Sequence, residues 1–437
     1  MQRNTTGSSN VSVGYDALGN NTTASNNTAV GYQSLQANTT GTSNVALGHE
    51  TLLDNTTGGF NTAIGKSALE NNTTASNNTA VGYTALLANT TGYSNTAIGG
   101  QTLISNTTGA NNAAVGRYAL YNNTTGGSNT AMGLQALFSN TTASNNTSVG
   151  YHSLLSNTTG ADNTAVGRNA LDDNTTGSNN TALGEGSLTA NTTASHQTVI
   201  GKGAGQTITT GAENVLVGHE AGRDGNFSAG TIIGRRAGAV TTGINNTFVG
   251  HECGTLITTG MKNTIIGRFN GNNGGLDLRT GDNHIVLSDG DGNPRQIIDN
   301  IGRLLIGHAS AVGGHSELLG IDADQSSGYG IFVSGDSSTG GSTNINAMRF
   351  YDSGSSAGVV GSIIFNDTLT AFNTSSDYRL KENVDYTWDA TTRLKQLKPA
   401  RFNFIADADT TVDGFLAHEV QDIVPEAISG EKDGSRS

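Results

Sequence analysis

One spacing governs the first 270 residues. A glycine that follows a short branched run recurs at Gly14, Gly31, Gly48, Gly65, Gly82, Gly99, Gly116, Gly133, Gly150, Gly167, Gly184, Gly201 and Gly218, every step being 17 residues. Gly234 and Gly250 follow at steps of 16, and Gly267 at 17. The unit reads "NTAVGYQSLQANTTGTS", then "NVALGHETLLDNTTGGF". Each has a three-residue β-type segment before the marker glycine, a small residue three positions after it, Leu or Gly four after, and, through the unit of Gly184, an Asn-Thr-Thr-Gly/Ala turn. Branched residues suit a half-buried pleat, and Gly and Asn tolerate the positive φ of tight turns. No segment is long enough for an amphipathic helix. The expected fold is therefore mostly β, a β-solenoid or β-roll shaft with one repeat per rung over residues 1–269. At ~4.8 Å per rung the shaft is a rod on the order of 70 Å long.

Composition agrees with a repeat architecture. The 437 residues include 61 Gly but only 3 Pro, and 13% are charged. That is too little bulk for an ordinary core and too little charge for a disordered chain, whereas stacked units extend a thin core. The predicted core of each unit is the branched residue before the marker, one Ala or Ser, and often one Leu. So little apolar surface per chain favours several rods sharing their apolar faces, and the expected state is a homotrimer. The net charge of −13 argues against a basic nucleic-acid surface. No apolar run approaches the ~20 residues of a membrane span, and the opening "MQRNTTGSSN" has no apolar signal core. Cys253 is the single cysteine; it stands where most units have Ala and reads as a packed core thiol. These features fit a chain made in a reducing cytoplasm.

The residue after each marker varies freely: Tyr15, Tyr32, His49, Lys66, Tyr83, Arg117, Tyr151, Arg168, Glu185, His219, Arg235 and His251 among them. This is an outward row. It reads as a solvated face in preference to a receptor-contact ladder. The Asn-Thr-Thr triplets are formal glycosylation acceptors expected to stay bare. Their adjacent threonines diverge in direction, which excludes a flat ice-binding face.

Past Gly267 the ruler stops. Residues 270–373 read as a small β connector, with a hairpin turn at Asp289–Asn293. "DGDGNP" lacks the Gly at six and Glu at twelve of a calcium loop. "HEVQD" places Asp422 where a zinc helix needs a second histidine. No metal and no cofactor are predicted. From residue 374 charge density rises and Trp388, Pro399 and Pro425 appear. "TWDATTRLKQL" and "AHEVQDIV" have helical spacing, and "ARFNFIA" between them reads as a strand.

Two resemblances follow from these stretches. The 17-residue units resemble the head repeats of trimeric autotransporter adhesins and of phage tail fibres, which implies a trimeric β-roll. "SDYRLKENV" (376–384), "RLKQLKPARFNF" (393–404) and "GFLAHEVQDIVPEAI" (414–428) together resemble the endosialidase-type intramolecular chaperone, a self-cleaving module at the end of phage tail spikes and fibres. Residues 374–437 are therefore expected to be a short α+β chaperone and autopeptidase domain, apparently truncated, since family members continue into a trimeric coiled-coil helix. The resemblance implies that Ser376 is the nucleophile and Lys381 its base, with the cleaved bond between Ser375 and Ser376. Asp377 and Arg379 are supporting residues; a cation at Arg379 disfavours a charged Lys381 and so helps it to act as a base. At most this is a single-turnover serine-lysine autoprotease.

Taken together, the sequence predicts a structural tail-fibre protein of the virion, assembled in the host cytoplasm. Its expected partners are two further copies of itself, a glycan or protein receptor on the host surface, and other tail components. Nucleic-acid binding and membrane insertion are not expected. The alternatives are a bacterial trimeric surface adhesin, which needs a secretion signal and anchor, and a polysaccharide depolymerase spike, which needs paired carboxylates in a cleft.

Overall fold

The computed structural model describes residues 3–302, 304–306, 345–352, 358–366, 369–374, 387, 389–404 and 407–425. The chain divides into two compact units, Met1–Gly320 and Ile321–Ser437.

The first unit is a β-solenoid. Its strands begin with β1 (Val11–Val13), recur once per coil, and reach β16 (Thr264–Ile266) as the sixteenth. Each pairs in parallel with the next, residue for residue, at the sequence period: Val11 opposite Thr28, Thr28 opposite Val45, Thr181 opposite Thr198. Register is fixed by the strand's centre. Side chains alternate across a strand, so in "TAV" the middle Ala29 is buried while Thr28 and Val30 face outward. Gly31 is forced by the stacking, because a Cβ there would collide with the carbonyl of Gly48 in the next coil.

The core differs from the expected one. The branched residue before the marker is not inside: Leu47, Ile98 and Met132 are 46%, 41% and 46% exposed. The interior is built from the strand-centre Ala, the small residue three past the marker and the Leu four past it, as in Ala63, Ala68 and Leu69, all fully buried. Strand alternation leaves no other choice once Ala occupies the centre.

Two files of buried asparagine complete the interior. Seven past the marker, Asn38 donates through Nδ2 to Asn21 Oδ1 (3.0 Å) and to its own turn at Gly41 O (3.0 Å), and Asn55 does the same to Asn38 and Gly58. Four before the marker, Asn27 Oδ1 accepts from the backbone N–H of Asn44 (2.9 Å), while Asn27 Nδ2 donates to Gly41 O (2.9 Å). A buried amide without partners costs on the order of 1–3 kcal/mol; each of these satisfies turn carbonyls that a three-residue strand leaves unpaired. The Asn-Thr-Thr asparagines of the coils are interior residues: Asn21, Asn38 and Asn55 have no exposed surface.

Beyond β16 the chain inserts a small hairpin, β17 (Asn272–Asn273) with β18 (Leu276–Asp277), and then rejoins the stack. In β19 (Ile285–Ser288), Ile285 lies opposite Thr264, so the solenoid gains one more rung after a longer loop whose Phe269 and Leu278 are buried in the core. The sheet then ends in an antiparallel meander, β20 (Pro294–Ile298) and β21 (Leu304–Ile306). The predicted hairpin lies between β19 and β20. Its turn is tied by Asp289, whose Oδ1 accepts from the backbone of Asp291 (3.0 Å) and Asn293 (2.9 Å) and whose Oδ2 accepts from Arg295 Nε (2.9 Å).

The second unit contains an antiparallel sheet of β22 (Ile345–Asp352), β23 (Gly358–Asn366) and β24 (Leu369–Thr374). A helix α1 (Ala390–Leu394) follows, then β25 (Ala400–Phe404), β26 (Asp407–Gly414) and helix α2 (Ala417–Val420).

Candidate functional site

The three C-terminal motifs are separate in sequence, and the fold joins two of them. Asp389 caps α1, its carboxylate accepting from Thr392 N (3.1 Å); the Thr392 side chain first, and then its backbone N–H, hold that carboxyl below its ordinary range. The cap starts the helix that carries Arg393. Strand β25, in the second motif, pairs antiparallel with β26, and its first residue Ala400 lies opposite Gly414, the first residue of the third motif. An Arg401–Asp413 ion pair (2.6 Å) spans the two strands. From α1 the Arg393 guanidinium donates to the carbonyl of Ile423, just past α2. The strand pairing, the ion pair and the Arg393 hydrogen bond thus tie residues 393–404 to residues 413–423 in one small α+β body. The predicted order of helix, strand and helix is present, with both helices shorter than their apolar spacing suggests. Strand β26 is the element that sequence reasoning missed, because "DADTTVDG" carries no alternating apolar pattern.

Residues 376–429 match the family model of the chaperone of endosialidase. This C-terminal segment is a chaperone-of-endosialidase domain. The match begins at Ser376, the residue predicted to be the nucleophile, and includes all three motifs. No curated protein and no solved structure matches the chain. The match is confined to this C-terminal part of the 437 residues, and the solenoid lies outside it.

Within the domain Ser376, Asp377, Arg379 and Lys381 lie outside the described residues, as does Ser375 just before it. Strand β24 ends at Thr374, immediately before the predicted cleavage position.

On the solenoid, the row after each marker glycine points outward as expected. Tyr15 and Tyr83 are 71% and 57% exposed. The spacing of the coils lets neighbouring rings stack, Tyr15 on Tyr32 at 5.3 Å and Tyr32 on His49 at 5.0 Å. Further along, the row becomes ionic: Glu185 bridges Arg168 and Lys202, and Arg235 and Arg268 of this row contact Glu252, which stands one position later in its coil and also meets Arg236. Among the described residues no group of three His, Cys, Asp or Glu is placed to hold a metal ion, and no helix is long and apolar enough to cross a membrane.

Proposed function

We propose that this chain is a homotrimeric phage tail-fibre or tail-spike component whose solenoid shaft contacts the host, and whose chaperone domain aligns three copies before releasing itself. The observation that carries the reading is the outer face of the solenoid strands. Before every marker the chain places an apolar residue outward: Val13, Leu47, Ile98, Met132, Ile200 and Ile266 sample the file from end to end. Two positions earlier stands Thr, Val, Ala or Ile, and neither file contains a charged residue from β1 to β19. A strip about 80 Å long and one three-residue strand wide covers roughly 800 Å² per copy, the size of one side of a stable protein interface. About half of that strip is the continuous apolar file and the other file is mostly threonine; a contiguous apolar patch of several hundred Å² on a soluble protein commonly marks an interaction surface.

Repetitive strands of identical period can pair one coil out of register at little cost. A chaperone domain at the end of the chain supplies the alignment that the shaft cannot encode. For release, the Ser376 hydroxyl attacks the Ser375 carbonyl carbon while Lys381 takes its proton. The Ser375–Ser376 peptide bond breaks, an ester links Ser375 to the Ser376 oxygen, and the freed amine of Ser376 receives a proton. Water then hydrolyses the ester and separates the fragment. Without the chaperone a fibre once unfolded does not re-register, which makes its stability kinetic.

Intact mass spectrometry of the purified chain beside Ser376→Ala tests the release step. The expected result is a break before Ser376 in the wild type and an uncut Ser376→Ala chain. An uncut wild type, or a cut alanine variant, contradicts the assignment of the nucleophile.

A further inference from the structure

Two residues past the marker, almost every coil projects a side chain: Gln33, Glu50, Gln101, Tyr118, His152 and Asn169 are examples. Two consecutive coils interrupt the row with Gly186 and Gly203. Neither glycine is demanded by the backbone. Their φ values of 67° and 63° match those of Gln101 (60°) and Tyr118 (63°) in the same row. Nor is either demanded by packing. A Cβ on Gly186 would meet Thr189 Oγ1 at 3.5 Å, and one on Gly203 would meet Glu220 Cγ at 3.7 Å and Gln206 Oε1 at 3.8 Å, all ordinary contacts.

The missing side chains open a groove of about 220 Å³ on the solenoid surface. Arg168, Glu185, Lys202, Thr189, Gln206 and Glu220 surround it. Its charges are already balanced. Glu185 accepts from Arg168 and from Lys202 (3.2 Å), and Glu220 pairs with Arg223 (3.2 Å) and Arg236 (3.6 Å). A ligand therefore meets fixed donors and acceptors with no net charge to neutralise and no apolar or aromatic residue in the lining. Hydroxyl groups, which donate and accept at once, are the chemistry that suits such a wall. The groove's size admits a single six-membered ring.

We propose that this groove binds one neutral hexose unit of a saccharide, held by the Arg168–Glu185–Lys202 bridge along one side and by Thr189 and Gln206 along the other. As the receptor of the shaft, it deepens the host-contact reading above and rests on it. The site binds without cutting. Glycoside hydrolysis needs a protonated carboxyl beside an ionised one; here Glu185 is hydrogen-bonded to Arg168 and Lys202, which hold its carboxyl below the ordinary range, and the second carboxyl of the lining, Glu220, is engaged by Arg223 and Arg236.

Saturation-transfer difference NMR on the full chain tests it, with glucose, galactose, mannose and N-acetylglucosamine as probes and glucuronic acid as the charged arm. At least one neutral sugar is expected to give a signal. Filling the groove with Gly186→Gln and Gly203→Gln should reduce that signal at least tenfold, and Gln206→Leu should weaken it without filling the space. Ser67→Gln, in the same row of an earlier coil, should leave it unchanged. The proposal is overturned if no neutral sugar binds, if the filled variant binds as the wild type does, if glucuronic acid binds best, or if an oligosaccharide is hydrolysed. The native mass of the same samples separates the two readings. A trimer that binds no sugar removes this site and leaves the fibre assignment standing; a monomer that binds sugar does the reverse.

Discussion

Leu103 adopts φ 52° and is fully buried. A left-handed L-residue costs on the order of 1–2 kcal/mol, and burying a leucine returns about 1.5–3 kcal/mol, so the position is held by its packing. The later coils solve the same problem in another way. Where the fourth residue past the marker becomes glycine (Gly222, Gly238, Gly254), the strand centre enlarges from Ala to Leu216, Ile232 and Phe248. A Cβ on those glycines would press against the enlarged side chain of its own coil. Volume has moved from one position to the other. The exchange should transfer to an earlier coil. Leu103→Gly alone should cost about 2–4 kcal/mol through the cavity it leaves, and Ala97→Leu alone about 1–3 kcal/mol through overpacking. The double variant should recover part of both losses, a favourable coupling of roughly 0.5–3 kcal/mol in a denaturant double-mutant cycle; strict additivity would contradict the exchange. Cys253 occupies the small-residue position and donates to the Ile265 carbonyl (3.5 Å), and burial pushes its thiol up to about 12. The thiolate is the reactive form, so a disulfide-exchange reagent at pH 8 should label it only after denaturation. Rapid labelling of the folded protein would place it at the surface.

The coil is the repeating element, and its polar interior was the part least legible in the sequence. The 17-residue period, the strand before the marker and the outward row after it all follow from spacing. Asparagine in "NTTG" reads as a turn residue because Asn favours turns, and nothing local distinguishes a solvated amide from one stacked on the amide 17 residues away. The branched residue before the marker was misplaced for the opposite reason. Its apolarity suggests a core, but alternation about a buried Ala sends it outward, where only a partner can cover it. The asparagine file has a direction, each Nδ2 donating to the preceding coil. It ends where Ile208 replaces the next amide, leaving Asn191 Oδ1 buried and without a donor. Mid-file, Asn106→Ala should orphan Asn89 Oδ1, which accepts from Asn106 at 2.9 Å. Its cost, about 1–3 kcal/mol, is read by chemical denaturation; a neutral substitution would mean water replaces the amide. The hairpin after β19 adds a pH dependence. Backbone donation from Asn293, then Arg295, lowers the Asp289 carboxyl from 3.8 to about 2. A depressed carboxylate stabilises the folded state above its unfolded value and loses that contribution as pH falls through the folded one. Wild type should therefore melt above Asp289→Asn at pH 6, with the gap closing between about pH 4 and pH 2; a gap that persists below pH 2 would assign it to packing.

At the scale of the whole molecule the period and the three C-terminal motifs were both readable. Their combination, a fibre-like solenoid with a chaperone-of-endosialidase domain at residues 376–429, fits a tail fibre or spike. The proposed Ser376–Lys381 pair lies outside the described residues; at a spacing of five the two do not share one helical face, so the proposed dyad requires a turn or a second copy to bring them together. Assembly is where residue, coil and chain converge. The strand face that each coil leaves uncovered is uncharged along its full length, so one lysine there should act on association with little effect on the coil itself. Ile98→Lys, outward and 41% exposed, should weaken association, since three copies would bring like charges together in a desolvated strip. Native mass spectrometry of the wild type at micromolar concentration is the most direct measurement. The account predicts three copies of the 44.7 kDa chain, each shortened by the fragment after Ser375 if release has occurred, and dissociation in Ile98→Lys. A stable wild-type monomer, with its apolar strip open to solvent, would contradict it.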